Sequence, residues 1–524
     1  MRKVFAGLLI AGLVTAGVSD AVGPIRGGKM VYGRYADSLF LDPVFTDANL
    51  DIWILTNLYD TLIQPGPGGK GLVPGLASSY GFSKDGLSFT LTLRPGAKFA
   101  DGSSIAAGDV KFSLDRARDP KNGAWNFLLG SIASVTAKGN QVVLKLKNPD
   151  PSLPAALATF NSGVMPAKLY AAAKGADEKA RGKVFAEKPI GSGPFVLSEW
   201  KRGSFMVLKR NPYYWRKAAD GKALPYLDEL RFEIVPDDSA RILKLQSGEL
   251  DGAEFIPFSR VAELQADTKL NMKLFPSTKV NFVVINNRAK LNDGTDNPLS
   301  NQKLRQALNY ATDKQALIKL VTFGIGKEMK SYMSSSTPLF APQPMYPFDL
   351  EKAKKLYADS GAPANLELTV QALSGSADQT ALATALQQMW AAIGIKLNIV
   401  QLDSASSNDK YQKHDFELSF NSWTDDIADP NELTAYAAVF GSAESFKTGF
   451  KSAEVEKLFA QSQQEVNTVK RAEMYRRIQQ IHTETAPMVY LYETPYPVAL
   501  GKRVRDFVQI PLGNNVFSGT YLEK

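Results

Sequence analysis

Apolar and polar residues alternate without a fault over residues 87–94, the two-residue period of a strand with one face in a core. Residues 30–35 and 142–146 also read as short strands. A helix is expected just after residue 50, with Ile52, Leu55 and Tyr59 on one face and Asp47 or Asn49 as its cap. Gly108-Asp109 precedes a second helix carrying Val110, Phe112 and Leu114. Residues 64–185 therefore predict a small α+β unit rich in hairpins. Gly191-Ser192-Gly193-Pro194-Phe195 opens a new sheet segment, which residues 206–208 and 230–234 extend. Between them Arg210-Asn211-Pro212-Tyr213-Tyr214-Trp215 reads as an aromatic turn packed on that sheet, and a helix over 241–247 stops at Gly248.

The second half changes rhythm. Residues 282–287 form a continuous apolar strand, and a helix from 301 follows with Leu304, Leu308 and Ala311 on one stripe. Asp349 caps a helix that turns Leu350, Ala353, Leu356 and Tyr357 inward and ends at Gly361. A helix over 380–393, stopped by Gly394, runs into a strand at 396–400. Helix followed by strand, repeated, predicts an α/β lobe with a largely buried sheet. Two late helices near 453–466 and 468–484 precede a strand at 488–492.

Residues 416–420 alternate once more and lead into Asn421-Ser422-Trp423-Thr424-Asp425-Asp426-Ile427-Ala428-Asp429-Pro430. A tryptophan and three carboxylates fall within seven residues, and Pro430 is expected to forbid further strand or helix. Two readings stand. The loop is solvated with Trp423 tucked into the core, or it is an aromatic and anionic platform for a cationic group on a small ligand.

Composition removes several classes. The chain has 524 residues, enough for two or three domains, and no cysteine, so disulfides and thiolate chemistry are absent. His414 and His482 are its only histidines, too few for a His-rich metal site. The net charge of +8 comes without a dense basic run; Arg471 with Arg476-Arg477 is among the short groups present, and nucleic acid is not an expected partner. Gly66-Pro67-Gly68-Gly69-Lys70-Gly71 fits the spacing of a dinucleotide fingerprint, but Leu72-Val73-Pro74-Gly75 cannot begin the helix that the fingerprint needs; a surface turn is expected.

At the start, Arg2 and Lys3 precede fifteen uncharged residues, Val4 to Val18, and then Ser19-Asp20-Ala21. This predicts a cleaved secretory signal over 1–21, too short to span a bilayer, which needs about 20 residues. No cysteine is present there to carry a lipid. The expectation is a soluble exported protein of net charge +7.

The order of motifs carries a resemblance. Leu41-Asp42-Pro43, Tyr59-Asp60-Thr61-Leu62, Pro74-Gly75-Leu76-Ala77-Ser78-Ser79, Leu93-Arg94-Pro95-Gly96-Ala97-Lys98-Phe99-Ala100-Asp101-Gly102 and Ala107-Gly108-Asp109-Val110-Lys111-Phe112-Ser113-Leu114 come first. Gly191-Ser192-Gly193-Pro194-Phe195, Arg210-Asn211-Pro212-Tyr213-Tyr214-Trp215, Ile285-Asn286-Asn287 and Leu304-Arg305-Gln306-Ala307-Leu308 follow. Together, from about Leu41 to Tyr492, the chain resembles the extracellular solute-binding proteins, family 5, of ABC transporters, the family of the oligopeptide- and dipeptide-binding proteins.

The resemblance implies an α/β, two-lobed periplasmic binding protein of type II with an extra subdomain, its lobes closing about a hinge. Lobe I would comprise 22–60, 186–281 and 494–524, with 61–185 as an inserted α+β subdomain; lobe II would be 282–493. In peptide-binding members a carboxylate of the Trp-x-x-Asp loop holds the ligand's α-ammonium group. Aligned on Trp423 and Asp429-Pro430, that carboxylate is Asp426. Trp423, Thr424, Tyr35 and Tyr492 would line the ligand. The implied partners are a peptide or other small solute and an inner-membrane ABC permease; the implied state is a periplasmic monomer with no cofactor, no metal and no catalysis. The family also hosts sugar, opine and metal-chelate binders. A secreted hydrolase using Asp425, Asp426 and Asp429 is the rival class, weakened because all three carboxylates lie on one loop, whereas acid and base flank a scissile bond.

Overall fold

A computed structural model describes residues 23–524, apart from Asp47, Ala124, Ser442 and the side chain of Ser404. The expected signal segment and the cap candidate Asp47 lie outside the described residues.

Strand Lys29–Arg34 sits inside a seven-stranded sheet, ordered Leu270–Phe275, Tyr496–Gly501, Gly252–Ala253, Lys29–Arg34, Glu229–Ile234, Phe205–Arg210 and Phe195–Lys201. It pairs in parallel with both neighbours. Met30 and Tyr32 enter one core, while Val31 packs on the opposite face against a smaller cluster containing Ile242, Leu245 and Leu264. A four-stranded antiparallel sheet, Ala77–Phe82, Ser88–Leu93, Gln141–Leu146 and Ile132–Lys138, shares the larger core. Phe89, Leu91 and Leu93 from its alternating strand meet Val110 and Leu114 of helix Ala107–Arg118 in that core. The glycine-rich stretch 66–71 is the tip of a hairpin between Ile63–Pro65 and Leu72–Pro74, closed by Gly66 N–H donating to Gly71 O at 2.9 Å.

The second lobe is built on a six-stranded sheet: Lys327–Glu328, Met488–Glu493, Val280–Ile285, Leu418–Trp423, Glu367–Leu373 and Lys396–Leu402. Its apolar strand is buried on both faces. Val283 and Ile285 meet Leu304, Leu386 and Trp390 on one side, while Val280, Phe282 and Val284 meet Leu433, Tyr475 and Ile478 on the other. Two stretches cross between the lobes, residues 276–279 and 494–495. They are tied together by Ser277 Oγ donating to Thr494 O and by Thr494 N–H donating to Lys279 O at 3.3 Å.

Local expectations shift at helix starts. Helix Asn49–Leu58 has no side-chain cap; Asp51, in its first turn, instead accepts from Leu39 N–H at 2.6 Å and Thr46 Oγ at 2.7 Å. Helix Ala107–Arg118 includes Gly108 and Asp109, and Ala377–Ala391 begins before residue 380, under a Ser376 cap. The larger correction concerns Pro430. It does not end regular structure but opens helix Pro430–Ala437, with Asp429 as N-cap accepting from Asn431 N–H at 2.9 Å. Proline at the first helical position loses no intrahelical bond, and its fixed φ suits the helix.

Candidate functional site

The C-terminal end of strand Lys29–Arg34 delivers Tyr35 to an aromatic cluster of the first lobe. Tyr35 meets Phe255 edge-on at 4.7 Å, Phe255 stacks on Trp53 at 5.4 Å, and Trp53 meets Tyr496 at 6.3 Å, a continuous aromatic wall. Phe255 sits at φ 51°, a left-handed conformation that costs a non-glycine residue about 1–2 kcal/mol. Arg241 holds it there, donating to Phe255 O at 3.1 Å and to Glu254 O at 3.3 Å. Behind the wall, Glu254 is paired with Arg34 at 3.3 Å.

Opposite this wall runs the loop after Trp423. The Tyr496 phenol faces Thr424 and lies close to the carboxyl groups of Asp426 and Asp425, so the two lobes meet at these residues. Ile427 is buried in the core of the first lobe, and Asn431 Nδ2 donates to Ser152 Oγ at 3.1 Å, which clasps the loop from the side. Trp423 is half-buried between Tyr436, at 4.9 Å, and Phe446, at 5.2 Å, and its indole N–H has no partner.

The three aspartates of the loop have three different environments. Asp429 receives two 2.7 Å bonds from Arg471, an internally compensated ion pair. Asp425 is 0% exposed; its N–H donates to Thr278 Oγ at 2.9 Å, Thr337 Oγ donates to its Oδ2 at 2.6 Å, and Oδ1 has no partner. Burial pushes its carboxyl up to about 8, against the Thr337 bond that favours the charged form. Asp426 is half-buried, and burial raises its carboxyl to about 7. Its N–H donates to Glu432 Oε2 at 3.1 Å. Glu432, 1% exposed, is raised well above the usual carboxylate range by burial and then by the charges of Asp426 and Asp425. Among the described residues, no cation figures among the groups that set these three carboxyls. Nor does any group of three or more His, Asp or Glu there suit a metal ion.

Of the residues picked from sequence, Trp423, Thr424 and Asp426 share this loop, and Tyr35 stands on the wall across from it. Tyr492 is set apart, lining a cavity of about 290 Å³ with Phe258, Lys279, Asn281 and Asp378. Sequence reasoning passed over Trp53, Phe255 and Tyr496, which are scattered along the chain, and Glu432. The last had a signal: Asp429-Pro430-Asn431-Glu432 has the spacing of a capping box. In the fold Glu432 bonds Asp426 instead of the cap.

Comparison with known proteins now bears on this architecture. The model of bacterial extracellular solute-binding proteins, family 5 middle, matches residues 71–443. The chain is 28% identical over 517 residues to a probable D,D-dipeptide-binding periplasmic protein of Escherichia coli, covering 94% of each. It is 28% identical over 488 residues to heme-binding protein A of Haemophilus influenzae, covering 89% of this chain and 87% of the relative. The solved structure of HbpA2 from Haemophilus parasuis superposes with a TM-score of 0.80 at 27% identity, over 95% of this chain and 100% of that one. Two lobes joined by two crossing stretches, and a family match over well over half of the residues, place this chain among the bacterial extracellular solute-binding proteins of family 5.

Proposed function

We propose that this chain is the capture component of an ABC importer and that its solute is a small peptide, held by its α-ammonium group on Asp426. One observation supports the amine most: Asp426 lies at the boundary of the lobes with no cation beside it among the described residues, three residues from an aspartate that has one. A buried carboxylate is costly unless paired, and a ligand ammonium supplies the missing charge. Trp423 from one lobe and the wall of Tyr35, Trp53, Phe255 and Tyr496 from the other would enclose the solute body. Tyr492 would line an extension of the same cleft. Haem, the ligand in one relative's name, carries carboxylates and would meet like charge at this loop.

Lobe I is proposed as 22–60, 186–281 and 494–524 with 61–185 inserted, and lobe II as 282–493, hinged at the two crossing stretches. A solute touching both lobes favours the closed form; shifting the balance from 1:99 to 99:1 takes about 5.5 kcal/mol of differential binding. The closed monomer, exported to the periplasm without a lipid, then docks on its permease and releases the solute unchanged. Among the described residues no helix is long and apolar enough to cross a membrane. Calorimetry with D-Ala-D-Ala, reduced glutathione and their N-acetylated forms tests the reading. Binding of the free peptides that acetylation abolishes is expected; equal affinity for acetylated and free forms would remove the ammonium assignment.

A further inference from the structure

Glu432 is turned into the same seat as Asp426. It lies in the first turn of helix Pro430–Ala437, 1% exposed, and accepts the Asp426 N–H at 3.1 Å. The Asp426 charge disfavours ionisation of the Glu432 carboxyl beside it, as like charges do in a buried site. Among the described residues, Glu432 Oε1 and Asp425 Oδ1 are buried without hydrogen-bond partners. The groups around the pair are Asp425 from the loop, Tyr436 from the same helix and Tyr496 from the other lobe, and none of them is a cation. Arg471, the cation nearest in the bonding pattern, is committed to Asp429 by both of its terminal nitrogens. Two carboxyls in one desolvated site cannot both ionise without a counter-charge, so they titrate as a pair that keeps one proton.

We propose that Glu432 is a second carboxyl group of the ligand's cation seat, that it shares one proton with Asp426 in the ligand-free protein, and that the arriving ammonium displaces this proton. This rests on the assignment of Asp426 as the ammonium seat. The ammonium keeps its own three protons; the shared proton passes to solvent, and two carboxylates then face one or more N–H donors. Capture of an amine that arrives already protonated is thereby coupled to release of about one proton near pH 7. Affinity should rise about twentyfold to thirtyfold between pH 6 and pH 7.5, where an α-ammonium is still mostly charged.

Calorimetry of the mature protein with D-Ala-D-Ala and with glutathione, at pH 7 in phosphate and in Tris, reads the proton directly. A buffer-dependent heat equal to about one released proton is expected; binding with the same heat in both buffers overturns the proposal. Glu432→Gln should bind the same peptides more weakly and with the release abolished; a release that persists in this variant assigns the proton elsewhere and also overturns it. A ligand-free arm keeps the two readings apart. The Tm of the wild type should drop further between pH 5.5 and pH 8 than that of E432Q, and equal drops overturn proton sharing whatever the ligand. If neither peptide binds, the peptide reading fails and the Tm comparison alone decides the shared proton. If E432Q does not fold, the wild-type calorimetry stands by itself.

Discussion

Glu254 and Glu432 are equally buried, each 1% exposed, and they serve opposite ends. Glu254 receives Arg34 Nε at 3.3 Å on one oxygen and Asn515 Nδ2 at 3.2 Å on the other, with Arg241 nearby. Glu432 has an orphaned oxygen and only acids and phenols around it. The first site is closed: its charges cancel within the fold and it fixes the end of a strand and the wall built on it. The second site is open in the electrostatic sense, because among the described residues no cation supplies the counter-charge that would stabilise it. The same contrast recurs within one loop, between Asp429 with Arg471 and Asp426 without any cation. Burial alone does not distinguish structure from function; compensation does.

The sharpest way to break that contrast is to remove a cation from the closed site. Arg34→Met should cost about 3–5 kcal/mol of stability in urea unfolding, since it strands a buried carboxylate. A cost below 1 kcal/mol would mean that Glu254 is no better compensated than Glu432. In the open site the corresponding loss falls on binding. Asp426→Ala should weaken D-Ala-D-Ala binding by several hundredfold, about 3–5 kcal/mol, while leaving Tm level or higher. Unchanged affinity in calorimetry would detach the amine from this residue.

The pH dependence of ligand-free stability sharpens the comparison further. Asp425 and Asp426 have folded values raised to about 8 and about 7, against roughly 3.9 for an unfolded aspartate. Between those limits the folded state holds more protons than the unfolded one, so stability falls as pH rises from about 4 to 8 and then levels. A melting temperature that climbs from pH 5 to pH 8 would contradict the uncompensated burial. The smallest effect expected is at Thr337, whose hydroxyl donates to Asp425 Oδ2 at 2.6 Å. Thr337→Val should cost about 1 kcal/mol in urea unfolding, and no change would show that the bond contributes nothing net.

Much of the framework was legible from periodicity. The alternating run at 87–94 became Ser88–Leu93 with Phe89, Leu91 and Leu93 inside, and the apolar run at 282–287 overlaps a strand buried on both faces. The acidic loop was also visible, as one tryptophan and three carboxylates in a row. The fate of each carboxylate was not. Pro430 was misread as a stop because proline excludes a helix interior, whereas the first position of a helix welcomes it. Glu432 carried a capping signature whose bonding the fold redirected to Asp426. The aromatic wall draws on residues 35, 53, 255 and 496, which no local window can join.

Chain order by itself thus determined most of the elements and the family to which the motifs belong, because these depend on neighbours within a few residues. The tertiary structure alone decided which acids meet a cation. Arg471 lies 42 positions from Asp429, and Arg34 lies 220 from Glu254. Desolvation and ion pairing act through space over a few ångströms, so the charge left uncompensated between the lobes is defined only once distant segments have packed.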